Sequence, residues 1–150
     1  MRILSSFFIL ITLFGCKETN RDTTINKSSD DLILTSWSIV KSKDDSKPIQ
    51  RHEAAFIKLD GKFYLLGGRR LRPVSIYNPQ TGIWTKGAIP PIELHHFQPF
   101  IYQNRIYVIG ALTGEWPNET PIDNIYIYNP ILDHWTIGDK IPEERRRGST

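Results

Sequence analysis

The chain has 150 residues, 39% hydrophobic and 11% aromatic, with 19 basic and 16 acidic side chains for a net charge of +3. So small an excess, with no basic stripe interleaved with aromatics, excludes a nucleic-acid footprint. A single cysteine excludes an internal disulfide framework and any cysteine-based zinc site.

The first segment reads as targeting sequence. Arg2 supplies a positive start, residues 3–14 are largely apolar, and Leu13-Phe14-Gly15-Cys16 ends the run. That run is too short to span a bilayer, which takes about 20 apolar residues. Its end resembles the lipobox of bacterial lipoproteins. The resemblance implies a signal peptide over residues 1–15 and a lipid on Cys16, with several acyl chains for stable anchoring. Membrane attachment through Cys16 is therefore expected, in the bacterial cell envelope and at the outer membrane or surface rather than the inner membrane. Residues 16–31, rich in Ser, Thr, Asn and charge without apolar period, are expected to be a solvated tether.

Residues 32–40, LILTSWSIV, read as an isolated strand around Trp37. A four-stranded unit follows over residues 52–90. Its strands are expected at 54–59, 62–66, 74–77 and 83–86, with Asp60-Gly61 as a hairpin turn demanding positive φ. Gly67-Gly68 closes the second strand, and Asn78-Pro79-Gln80-Thr81-Gly82 is the last turn. The unit recurs over residues 95–142, with strands at 97–102, 105–109, 124–128 and 134–137. Gln103-Asn104 replaces the hairpin turn, Asn tolerating the left-handed conformation. Tyr77-Asn78-Pro79 and Trp84 return as Tyr128-Asn129-Pro130 and Trp135, and Gly67 returns as Gly110. Residues 111–121 are extra length in the second copy and read as loop. Residues 143–150 begin a third copy.

A repeat of 40 to 50 residues built from short strands is a propeller signature. The glycine pair, the Tyr-Asn-Pro turn and the trailing Trp together resemble the kelch motif, with Ala111 and Asp133 standing where glycines are usual. The resemblance implies an all-β fold, a kelch-type β-propeller of four-stranded antiparallel blades. Here it would be incomplete: two full blades, an N-terminal closing strand and the start of a third. A ring takes at least four blades, so the chain is expected to be the N-terminal part of a longer propeller.

In such a blade the b–c and d–a connections share one face, where long polar loops gather. His52 and His95 each lie 15 residues before a glycine, Gly67 and Gly110, and so occupy matched positions, with Arg147 in the corresponding place of the third copy. Together with His96, Gln98, Arg69, Arg70, Arg72, Glu115 and Trp116 they form a candidate rim. It reads as a partly cationic pocket for an anionic or sugar-like ligand, with Trp116 as stacking surface. The competing reading is that these side chains satisfy hydrogen bonds between blades. No metal is expected at His95-His96, because neighbours on a strand point to opposite faces and no carboxylate pair supports them. No cofactor is expected, and no phosphate loop, nucleophile elbow or His-Glu-x-x-His pair is present. The residues favour a non-catalytic module binding a protein or glycan. The alternative is a carbohydrate-active enzyme, since the resemblance extends to kelch-type sialic acid mutarotases; copper-radical chemistry of the galactose oxidase type lacks its cysteine here.

Overall fold

The computed structural model describes residues 38–148. Cys16, the tether and Trp37 lie outside them. Of the expected closing strand, only residues 38–40 are described, and they belong to no strand. The described chain is built of two four-stranded antiparallel sheets and a small ribbon.

The first sheet runs β1 (Ala54–Leu59), β2 (Lys62–Gly67), β3 (Ser75–Asn78) and β4 (Ile83–Lys86), paired in that order. Its register is set by the tight turn: Leu59 faces Lys62 and Ala54 faces Gly67. Asp60 and Gly61 take φ of 48° and 72°, the mirror-image turn whose twist matches that of the strands it joins. The second sheet holds β5 (Phe100–Tyr102), β6 (Arg105–Val108), β9 (Asn124–Asn129) and β10 (His134–Lys140), joined by the same kind of turn at Gln103 (48°) and Asn104 (56°). Strand β5 is shorter than expected. Residues 97–99 lie outside the strand, and Phe97 among them is buried.

Between β6 and β9 lies a feature that the sequence does not announce. Residues 111–121, expected to be loop, form a two-stranded ribbon, with β7 (Leu112–Thr113) against β8 (Thr120–Pro121). The final segment is likewise no strand among the described residues. Glu143–Arg145 make one 3-10 turn.

The core lies between the two sheets. Tyr64 and Leu66 on β2, Ile106 and Val108 on β6, and Tyr126 and Tyr128 on β9 are buried at alternate positions, as the period of a strand requires. Tyr64 meets Tyr128 edge-on, 6.2 Å between ring centres. Burying each of the aliphatic side chains in this core contributes about 1.5–3 kcal/mol. The blade faces come close enough to exclude side chains. A Cβ on Gly67 would lie 2.5 Å from the Leu94 carbonyl and run into the Phe97 ring. At Gly110 a Cβ would lie 2.7 Å from the Arg147 carbonyl. Arg147 therefore takes the backbone place of Leu94, not that of His95, a shift of one residue from the sequence register.

Candidate functional site

Two left-handed residues organise the site. Glu53 (φ 56°) stands just before β1, and His96 (φ 52°) stands at the matching place 43 residues on. Non-glycine residues adopt this conformation at a cost, and it turns the side chain out of strand alternation. For that reason His95 and His96 do not point apart. Their Nδ1 atoms lie 2.8 Å from each other, which corrects the expectation from strand geometry.

His95 is fully buried and His52 is largely exposed, so matched register has not given matched environment. The ribbon makes the difference. His95 pairs through its backbone with Leu112, and its Nε2 meets the Gly114 carbonyl at 3.1 Å. A carbonyl only accepts, so Nε2 carries the hydrogen and Nδ1 of neutral His95 presents a lone pair. His96 Nδ1 must then donate to it. Glu53 Oε2 sits 3.8 Å from the His95 Nδ1 and 3.6 Å from that of His96.

Arg69, directly beyond β2, fills the space between two acids. Its guanidinium donates to Glu53 and to Glu119, and also to the Gly114 carbonyl at 3.0 Å. Burial works to raise the Glu53 pKa, but the hydrogen bond from Arg69 and the neighbouring His96, Arg69 and His52 together hold it below the ordinary carboxylate value. Arg69 is raised in turn, first by its hydrogen bond to Glu53. A third acid, Glu93, lies 3.8 Å from His95 Nε2. The Arg69 guanidinium is thus paired with two carboxylates, Glu53 and Glu119, which offset the cationic character expected around it.

These groups floor an open depression of about 410 Å³ lined by His52, Glu53, Arg69, His96, Trp116 and Glu119. Trp116, at the tip of the ribbon, is 78% exposed. The other predicted rim residues fall outside it. Arg70 and Gln98 are exposed, Arg72 folds back to donate to the Arg69 carbonyl at 3.1 Å, and the Glu115 carbonyl closes the ribbon turn with Asn118 at 2.8 Å. The Arg147 side chain is exposed, while its backbone abuts Gly110.

Sequence reasoning missed Glu53, Glu93 and Glu119. Projecting His96 back by the repeat offset would have found Glu53; Glu119 carries no such signal. It also missed Arg51, a purely structural arginine that donates to the carbonyls of Gly67 (3.0 Å) and Pro73 (2.8 Å) and to Ser75 Oγ (3.1 Å). Burial lowers its pKa, with the Arg72 charge adding to the effect. All three acceptors belong to the first four-stranded unit, so Arg51 ties that blade to itself and not to its neighbour.

No family model matches the chain. The Kelch-like protein terF of Aspergillus terreus is 29% identical over 119 residues, covering 68% of this chain and 24% of that protein. Human Kelch-like protein 38 is 31% identical over 80 residues, 50% of this chain and 14% of that one. This chain therefore spans about a quarter or less of these curated relatives. The solved structure of YjhT superposes with a TM-score of 0.51 at 18% identity, over 62% of this chain and 39% of its own. That likeness concerns the fold alone.

Proposed function

Because the chain is a run of kelch-repeat β-propeller blades, we propose that it serves as a binding module whose loop face takes a glycan, carried on a lipid-anchored protein of the bacterial envelope. The exposed indole of Trp116 beside a floor of hydrogen-bonding side chains carries this reading. A sugar ring offers an apolar face to stack on an indole and hydroxyls for Glu53, His96 and Glu119 to bind. Two carboxylates, Glu53 and Glu119, against one guanidinium in the depression favour a neutral or amino sugar over a sugar acid.

Fluorescence of the full chain, titrated separately with galactose, N-acetylglucosamine and N-acetylneuraminic acid, tests this. A change with a neutral sugar that disappears in Trp116→Ala supports the reading. Silence with every sugar, or a response that survives the substitution, turns the proposal towards a protein ligand.

The paired imidazoles support a second reading, an enzyme acting on sugars. One proton shared between His95 and His96 beside Glu53 is a positioned acid and base. Anomer equilibration of galactose or of N-acetylneuraminic acid, followed by NMR, should then accelerate in the presence of the protein. An unchanged rate leaves the binding module.

A further inference from the structure

We infer that Glu53, His95 and His96 form a divalent transition-metal site, suited to Zn(II). Three donor atoms already face one another: the two Nδ1 atoms 2.8 Å apart, and Glu53 Oε2 at 3.8 and 3.6 Å from them. Around a tetrahedral ion with bonds of about 2.0–2.1 Å, ligand atoms stand about 3.3 Å apart. The imidazoles need to part by about half an ångström and the carboxylate to close by a little less to reach that geometry. Glu119 offers an oxygen within 4.8 Å of all three, as a fourth ligand or as charge balance.

The supports of the site point the same way. Metal-binding histidines hold their second N–H on a carbonyl or carboxylate, which fixes the tautomer. His95 has this arrangement, with Nε2 on the Gly114 carbonyl at 3.1 Å and the Glu93 carboxylate at 3.8 Å, and it is fully buried, so its ring is ordered before any ion arrives. Two imidazoles with carboxylates suit zinc and its neighbours in the transition series, whereas calcium and magnesium take oxygen alone. Glu53 and Glu119 against the guanidinium that bridges them leave negative charge for a cation to neutralise. Arg69 competes for Glu53, yet keeps Glu119 and the Gly114 carbonyl when Glu53 turns to the ion. On binding, the proton on His96 Nδ1 leaves that atom and the ring is reprotonated at Nε2, so the imidazole stays neutral.

This site stands whether or not the depression binds sugar, and its test uses no sugar. The full chain is stripped with EDTA, dialysed and titrated with Zn(II) by calorimetry, and the bound metal is counted by atomic emission. One ion per chain is expected. Glu53→Gln and His96→Gln should each weaken binding by at least about a hundredfold, the upper end of what losing an outer partner costs. His134→Gln, an exposed histidine on β10, should change nothing. Absence of uptake, uptake that survives both ligand variants, or equal loss in His134→Gln overturns the site. Should either ligand variant fail to fold, Co(II) added to the unaltered protein decides. Paramagnetic shifts on the His95 and His96 ring protons support the site, and shifts confined to other histidines refute it.

Discussion

The Tyr128 hydroxyl donates to Asp133 Oδ1 at 2.6 Å, and the same oxygen accepts the backbone N–H of Ala88 at 2.6 Å. Asp133 stands where the repeat usually places glycine and keeps the left-handed backbone, φ 47°. Trp135 completes the clamp, its indole N–H donating to the Ala88 carbonyl at 3.3 Å. A turn residue of one blade thereby holds the departing chain of the blade before it. Asp133→Ala should cost about 1–3 kcal/mol in urea unfolding, because the buried Tyr128 hydroxyl is left without its acceptor. Tyr128→Phe, which removes the hydroxyl while Asp133 keeps the Ala88 N–H, should cost only about 1 kcal/mol. Equal losses would refute the clamp.

The same pair sets an alkaline limit. Burial first, then the hydrogen bond to Asp133 and the charges of Asp133 and Tyr64, raise the Tyr128 pKa. A raised folded pKa means that the stabilisation is complete below the unfolded tyrosine value of about 10 and is lost as pH climbs above it. Chemical unfolding between pH 8 and pH 11 should show stability falling above about pH 10, and Tyr128→Phe should flatten that fall.

Close approach of the blades gives a paired prediction at two glycines, both with positive φ. Gly67→Ala meets the left-handed penalty and also the Leu94 carbonyl and Phe97 ring, for a loss of about 2–4 kcal/mol. Gly61→Ala has nothing within 4 Å and should lose only about 1–2 kcal/mol. Thermal unfolding of the two variants, compared directly, decides whether blade contact or backbone conformation dominates at Gly67.

Arg69→Met keeps the aliphatic stem and removes the donors to Glu53, Glu119 and Gly114. Glu53, now held low, should titrate closer to its ordinary value of 4.5 when its carboxyl carbon is followed by NMR. The sign for stability follows: a lowered folded pKa stabilises above the ordinary value, and that stability is lost as pH falls through the folded one. Acid unfolding of the variant should therefore depend less on pH below about 4.5. An unchanged Glu53 titration would show that Arg69 is not its partner in solution.

At the other end of the chain, the proposed anchor predicts that labelled palmitate is incorporated in a bacterial host and that Cys16→Ser abolishes it. Label retained in Cys16→Ser would remove Cys16 from that role.

Most of the blade architecture was legible because its determinants are local. Asp60-Gly61 and Gln103-Asn104 turn with a residue that tolerates positive φ in each pair, and the strand after each turn, β2 or β6, alternates in burial. The ribbon was not legible, since β7 and β8 are two residues each and carry no period to read. Nor was the convergence of His95 and His96, which depends on the left-handed backbone of His96 that no turn motif around it announces.

By itself the sequence determined the repeat, the turns and the pairing order within each sheet, because neighbouring strands and their hairpins are specified over a few residues. Tertiary structure alone decided which rim residues form a site. Arg69 meets Glu119 across 50 residues of chain, and His95 meets Gly114 across 19. Such partners are chosen by how two blades and a ribbon pack together, and packing also left His52 in water while it buried the histidine of identical register.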